Sequence, residues 1–321
     1  MNAIVEVDSL VRRFRKVQAV DGLSFAIPEG SVVGFVGANG AGKTTTMRIM
    51  ATLDMPSEGQ VRICGLDVMN YPSEVRRLIG WMPDAYGAYE NMTVLDYLDF
   101  YARAFGYRGA ERRDRIDDVM NFVDLVPLAE RDMTELSKGM KQRLCLGRTL
   151  LNDPRVLILD EPAAGLDPRA RVDFIRLVRL LAEEGKTIFI SSHILSELGQ
   201  MCDNLLFIDG GRLVHQGSAE SLARHEGNRM LVNVQVHGDP AAVRDWALLN
   251  PGVELYEETL QGARLLFDEF GSADLSKHLR KMIEDGVPVA EFHQEKVSLE
   301  DAFVRMLNRA EPPPLPPEEA P

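Results

Sequence analysis

No stretch of the chain reaches the roughly 18 to 20 uncharged apolar residues that span a bilayer, and Met1 to Phe14 carries acids instead of a signal-peptide pattern. These absences predict a chain that neither crosses a membrane nor is exported. Cysteine is scarce: Cys64, Cys145 and Cys202 stand apart, without metal-ligand spacing and in an odd number, which gives no disulfide framework and suits small core residues in a reducing cytosol. Basic charge is in deficit. With 36 Lys and Arg against 49 Asp and Glu the net charge is −13, which works against broad nucleic-acid affinity, since that depends on cations neutralising phosphates. What remains is 321 residues, 45% hydrophobic and 26% charged, an ordinary globular composition long enough for about two domains.

The most informative run is Gly37-Ala38-Asn39-Gly40-Ala41-Gly42-Lys43-Thr44-Thr45, which satisfies G-x-x-x-x-G-K-[ST] at every fixed position. Gly37, Gly40 and Gly42 let the backbone turn tightly with its N–H groups inward, forming an anion nest at a helix N-terminus. Lys43 reaches the β- and γ-phosphates of a nucleoside triphosphate, Thr44 offers a hydroxyl to Mg²⁺, and Thr45 donates near the α-phosphate. Ser31 to Val36 reads as a buried strand before the loop and Thr46 to Met50 as the helix after it.

Further along, Ile4 to Leu10 and Leu23 to Ile27 read as strands joined through a basic turn at Arg12 to Lys16, and Gln60 to Cys64 as another strand after the turn Pro56 to Gly59. From Thr93 to Leu128 the apolar period becomes helical, through Leu95, Leu98, Phe100, Tyr101, Phe105, Ile116, Val119, Met120 and Val123, predicting a helical insertion over about 90–135. Strands return at Val156 to Leu159 and Thr187 to Ile190 around a helix near Ile175 to Leu181, an alternation that argues for a parallel sheet. A second unit is expected over 229–310: strand Met230 to Val236, helix Pro240 to Leu249, strands near Val253 to Glu257 and Arg264 to Phe267, helix Ala273 to Glu284, strand Val289 to His293. This β-α-β-β-α-β order resembles a ferredoxin-like α+β domain. The acids Glu254, Glu257 and Glu258 read as its solvated face, and 311–321, rich in proline and acid, reads as a disordered tail.

Val156-Leu157-Ile158-Leu159 runs into Asp160-Glu161, placing two carboxylates at the C-terminal end of a buried strand, where open α/β sheets bind ligands. Beside a phosphate-binding loop this is a Walker B arrangement: Asp160 for Mg²⁺, Glu161 as the general base that polarises the attacking water.

With these residues in view, residues 4–217 resemble the nucleotide-binding subunit of an ABC transporter: a P-loop α/β cassette with an inserted helical subdomain, here over 1–228. Leu136-Ser137-Lys138-Gly139-Met140 resembles the family's Leu-Ser-Gly-Gly-Gln signature, and the resemblance implies that Ser137, Lys138 and Gly139 contact ATP held by a partner subunit. Gly165-Leu166-Asp167 resembles the D-loop at the dimer interface. His193 resembles the switch histidine that contacts the γ-phosphate and steadies the water, and Phe14 the aromatic that stacks on adenine. Val297 to Phe303 resembles the C-terminal close of such cassettes and reads physically as a helix capped by Ser298, with Asp301 in its first turn.

Two departures stand out. Ile79 to Asp84 aligns with the segment ending in the Q-loop glutamine, and Asp84 replaces that glutamine; a carboxylate there still binds Mg²⁺ or water but adds negative charge near the phosphates. Lys138 and Met140 replace the signature's usual glycine and glutamine. Together with Tyr86 to Thr93 these changes resemble exporter-type cassettes whose membrane domain is a separate polypeptide. The resemblance therefore implies an ATPase using ATP and Mg²⁺, a partner that is a second copy or a similar ATP-binding subunit, an integral-membrane permease, and a place on the cytoplasmic face of the cell membrane. The permease's coupling helix is expected between the helical subdomain and the segment around Asp84, the C-terminal unit is expected to regulate or stabilise the dimer, and no nucleic acid is expected. Two alternatives share the nucleotide motifs: a soluble ABC-type ATPase acting on nucleic acid or ribosomes, and a nucleotide-gated scaffold with little turnover.

Overall fold

Phe35 and Phe189, from neighbouring parallel strands, pack with ring centroids 5.0 Å apart, and Phe25 of a separate antiparallel sheet lies 5.6 Å from Phe189. These rings mark the core between two sheets. The computed structural model describes residues 3–85, 87, 89–218, 230–267 and 272–295, in two compact units, 1–218 and 219–321.

In the first unit, β1 (Ala3–Phe14) and β2 (Val17–Pro28) form a hairpin, and a four-stranded antiparallel sheet of order β2-β1-β4-β5 is completed by β4 (Glu58–Ile63) and β5 (Leu66–Asp67). The hairpin is tighter than the sequence suggests. Arg12 and Arg13 belong to the strand, not the turn, because Arg12 pairs with Asp54 at 2.7 Å and Arg13 with Glu58 at 2.5 Å beside it.

The second sheet is six-stranded, of order β10-β9-β3-β8-β7-β6. It comprises β3 (Val32–Val36), β6 (Ile79–Met82), β7 (Val156–Leu159), β8 (Thr187–Ser192), β9 (Asn204–Asp209) and β10 (Arg212–Gly217). All its pairings are parallel except the antiparallel β9–β10 edge. Every residue of β3, β7 and β8 is buried, because a parallel strand is covered on both faces, and Val156 to Leu159 accordingly reads as an unbroken apolar run. The register sets Val36 opposite Ser192, Leu159 opposite Ile190 and Met82 opposite Leu159. The loops that follow β3, β6, β7 and β8 thus leave one edge of the sheet together.

Helix α1 (Lys43–Met50) begins at Lys43, earlier than the apolar pattern from Thr46 indicates, because Gly42 at φ 107° turns the chain directly into it. Helix α2 (Pro72–Leu78) precedes β6. The inserted helices are α3 (Val94–Ala104) and α4 (Gly109–Phe122). Thr93 caps α3 in a reciprocal box with Asp96, its hydroxyl accepting from the Asp96 N–H at 3.1 Å. Val94, Tyr97, Leu98 and Ala102 form the buried face of α3, whereas Phe100 and Phe105 remain 56% and 46% exposed. Helices α5 (Lys138–Leu150), α6 (Pro168–Glu183) and α7 (Leu195–Met201) complete the unit.

The second unit follows the order β11 (Met230–Val236), α8 (Ala241–Leu249), β12 (Val253–Thr259), β13 (Gly262–Phe267), α9 (Ser272–Glu284), β14 (Val289–Glu295). Its four-stranded sheet has the order β12-β13-β11-β14, and Val232, Val234, Trp246, Leu265, Phe267 and Met282 form its core. Trp246 Nε1 donates to Asp285 Oδ2 at 2.8 Å, giving the buried indole a partner. The expected domain limit at 228, the helix capped by Ser298, the segment positions Tyr86 and Ala88, and the 311–321 tail lie outside the described residues.

Candidate active site

Where β3, β6, β7 and β8 end, a cleft of about 360 Å³ is lined by Asn39, Lys43, Thr44, Asp84, Glu161 and His193 among others. The Gly37 to Thr45 loop wraps one wall. Ala38, Gly40, Gly42 and Thr45 also face the cleft, while Ala41 is buried, its N–H donating to Ala38 O at 3.1 Å. Lys43 is only 6% exposed, and its Nζ donates to Gly37 O at 2.7 Å and Ala38 O at 3.4 Å. The loop's own carbonyls satisfy the ammonium.

Across the cleft, Glu161 adopts φ 47°, a left-handed conformation that non-glycine residues rarely take and that recurs at functional sites. Its N–H donates to Ser191 Oγ at 2.8 Å, and Ser191 Oγ donates to Asp160 Oδ1 at 2.7 Å. This buried hydroxyl holds the two carboxylate positions in one arrangement. The Glu161 carboxylate in turn lies 3.5 Å from Lys43 Nζ through Oε1 and 2.7 Å from His193 Nδ1 through Oε2.

Burial pushes the Asp160 carboxyl above its ordinary range; the hydroxyls of Ser191 and Thr44 pull it down, and the charges of Asp84 and Glu161 raise it further. Asp160 Oδ2 is buried without a hydrogen-bond partner. A cation beside Thr44 resolves both features, so these residues fit Mg²⁺. Among the described residues no group of three or more His, Cys, Asp or Glu side chains gathers to hold a metal. An ion held here would take its remaining ligands from phosphate and water, the usual arrangement for Mg²⁺.

Ser137 and Asp167 lie in a second cavity, also about 360 Å³, with Gly139, Arg143, Arg169 and Asp173. Ser137 caps α5, accepting from Met140 N at 3.3 Å, and Asp167 caps α6, accepting from Ala170 N at 2.9 Å. Arg143 bridges the rear wall, paired with Asp173 at 2.6 Å and Asp124 at 3.3 Å.

Residues 20–164 match the family model for the ABC transporter domain. A Nod factor export ATP-binding protein I from Ralstonia nicotianae is 35% identical over 308 residues, covering 95% of this chain and 94% of its own. A bacitracin transport ATP-binding protein from Bacillus licheniformis is 34% identical over 310 residues, covering 96% and 98%. The chain belongs to the ATP-binding subunits of ABC transporters. Among solved structures, an ATP-binding subunit of an ABC transporter matches this cassette with a TM-score of 0.63 at 28% identity, over 70% of this chain and 93% of the other. A dimeric ATP-binding cassette in a post-hydrolysis state, bound to ADP and Pi, matches with a TM-score of 0.60 at 25% identity, over 67% and 98%.

In this ABC cassette, then, the fold brings the P-loop, Asp84, Asp160, Glu161 and His193 around one cleft and sets Ser137, Gly139 and Asp167 at another. Two expected residues are placed elsewhere than the rest. Lys138, expected with Ser137 and Gly139, lines the chain's own P-loop cleft. Phe14, expected as the adenine platform, ends β1 at the hairpin tip, 42% exposed, with the Arg12 guanidinium 4.3 Å from its ring centroid. Ala19 and Ala164 are lining residues that sequence reasoning missed; they carry no polar signal. Ser191 was legible only as the neighbour of His193, although a hydroxyl at the end of a wholly buried strand needs a partner and so points to one.

Proposed function

We propose that this ABC cassette binds ATP with Mg²⁺ on its own P-loop, closes it against Ser137 and Gly139 of a second ATP-binding subunit, and hydrolyses it to drive export through a separate integral-membrane permease. The observation that carries this reading is the Glu161 carboxylate held between His193 at 2.7 Å and Lys43 at 3.5 Å, at the end of β7. Lys43 exchanges the Gly37 carbonyl for the β- and γ-phosphates. Thr44 and the unpartnered Asp160 Oδ2 would hold the ion. When bound, Mg²⁺ neutralises charge on the β- and γ-phosphate oxygens. Glu161 polarises the attacking water, with His193 fixing the carboxylate's orientation and reaching the γ-phosphate. Loss of that phosphate removes bonds at His193 and at the partner's signature loop, and the dimer reopens.

Export is supported by the names of the relatives in Ralstonia nicotianae and Bacillus licheniformis, which are an export and a transport ATP-binding protein. No helix among the described residues is long and apolar enough to cross a membrane. In this reading the path across is another polypeptide, which holds the cassette at the cytoplasmic face. A docking place is available. A cavity of about 260 Å³ lined by Leu53, Trp81, Tyr101, Phe105 and Arg148 opens beside the exposed rings of Phe100 and Phe105, and suits an amphipathic coupling helix.

The test is Mg²⁺-dependent ATP hydrolysis by the wild type and by Glu161→Gln, with the mass of each measured in ATP. Hydrolysis lost in the variant, with an ATP-held dimer accumulating, is the expected result. A wild type that binds ATP yet shows no turnover, alone or with membranes carrying its permease, would make the chain a nucleotide-gated scaffold instead.

A further inference from the structure

Two charged residues stand where the family pattern has neutral ones, and the fold brings both to one cleft. Asp84 follows β6 and Lys138 begins α5, yet both line the cavity around Lys43 and Glu161. Ser137 and Gly139, the neighbours of Lys138 in sequence, line the other cavity with Asp167. Helix geometry explains the divergence, since successive residues at the start of α5 point about 100° apart. The signature loop therefore faces two ways.

The route taken by the Lys138 side chain is specific. Its ammonium lies against Gly165, in the loop that follows Glu161: a Cβ built on Gly165 would fall on Lys138 Nζ and come within 3.6 Å of its Cε. Gly165 has φ +66°, which already favours glycine, and its missing side chain leaves the passage through which the ammonium reaches the cleft. The same loop is tied to the catalytic carboxylate, since Ala164 N donates to Glu161 O at 3.1 Å.

The charges in this cleft then balance in a particular way. Its lining holds the carboxylates of Asp84 and Glu161 and the ammonium groups of Lys43 and Lys138. Lys43 is already paired with Glu161 at 3.5 Å. Asp84 adds a negative charge on the side of the cleft where its field also reaches Asp160, and an arriving triphosphate is repelled by it. Lys138 is the further cation that opposes that repulsion.

We propose that Lys138 serves the nucleotide bound by its own chain, as the cation that offsets Asp84 beside the terminal phosphate, while Ser137 and Gly139 serve the nucleotide of the neighbouring subunit. The proposal rests on the ATP-binding reading above. It gives the signature loop a contact with each nucleotide of a dimer, so that one short segment senses both.

The test uses the full chain, held at a concentration where its mass is that of a monomer, so that no partner signature loop is present. A non-hydrolysable ATP analogue and ADP are titrated separately in Mg²⁺. Lys138→Met is expected to weaken analogue binding by about tenfold, the scale of one added charge interaction in a partly screened cleft, with ADP affinity changed by less than about twofold. Lys138→Arg keeps the preference for the analogue. Asp84→Asn tightens analogue binding, and Asp84→Asn combined with Lys138→Met returns close to wild type, because the two charges act on the triphosphate in opposite senses. Lys138 is exposed, so its replacement leaves folding intact, and an unchanged melting temperature checks this. An analogue-to-ADP ratio unmoved by Lys138→Met in the monomer, or moved only when dimers form, overturns the proposal. A wild-type chain that binds neither nucleotide overturns the ATP reading itself, a distinct outcome.

Discussion

His193 Nδ1 lies 2.7 Å from Glu161 Oε2, although the two residues are 32 apart in the chain. The contact exists because β7 and β8 are parallel neighbours in register, Leu159 opposite Ile190, so that the residues just beyond their ends meet. In the proposed mechanism this contact lets the imidazole orient the carboxylate that acts as general base.

Glu161→Gln should therefore lower ATP turnover by at least about 10²-fold while nucleotide affinity stays near that of the wild type. His193→Ala should lower turnover less severely, because the base remains and only its orientation is lost. Steady-state hydrolysis and equilibrium nucleotide binding, measured on the same samples, separate the two effects.

Lys43→Ala removes the buried ammonium that the P-loop carbonyls hold ready for phosphate. Saturating Mg-ATP should raise the melting temperature of the wild type through mass action and leave that of the variant unmoved. Thermal melts with and without nucleotide decide it.

Asp160→Asn separates stability from function. Burial raises the Asp160 carboxyl above its unfolded value, so the folded, nucleotide-free chain binds a proton more tightly than the unfolded chain does. Its stability therefore falls as pH rises through the raised value. At neutral pH the variant, with no charge to bury, should melt a few degrees higher than wild type. It should also lose Mg²⁺-dependent hydrolysis. A variant that melted lower at neutral pH would show that the carboxylate is already compensated in the free protein.

Gly42 and Gly40 both have positive φ, 107° and 84°, but their surroundings differ. A Cβ on Gly42 would stand 2.5 Å from Ala19 O, whereas one on Gly40 meets nothing within 4 Å. Gly40→Ala should cost about 1 to 2 kcal/mol from backbone strain alone. Gly42→Ala should cost about 1 to 3 kcal/mol more, because the chain must also shift. The midpoints of the first unit's unfolding transition in urea rank the two.

Much of the site was legible in the sequence because its parts are short and contiguous. The run Gly37 to Thr45 carries its own backbone requirements, and Val156 to Glu161 announces a buried strand ending in acids. The βαββαβ order of the second unit was equally open to reading, since its strands alternate and its helices are amphipathic. The failures have a common source. Phe100 of α3 and Phe105 at its C-terminal cap fit the helical period yet remain partly exposed, because periodicity gives a face its width and not its partner. Arg12 and Arg13 looked like a turn because the acids that hold them in β1, Asp54 and Glu58, are distant in sequence.

The sequence by itself determined which chemical groups this cassette owns: a phosphate-binding loop, two carboxylates after a buried strand, a histidine after the next, and a serine-capped helix. These are local properties, set by spacing, propensity and the burial of apolar runs. Only the tertiary structure decided where each group points. It set Ser191 between Asp160 and Glu161, left Phe14 exposed at a hairpin tip, and placed Lys138 at the cleft of the chain's own P-loop while Ser137 and Gly139 line another cavity. Direction of this kind depends on strand register, on helix rotation and on the room left by a single glycine, and these arise only when distant segments pack.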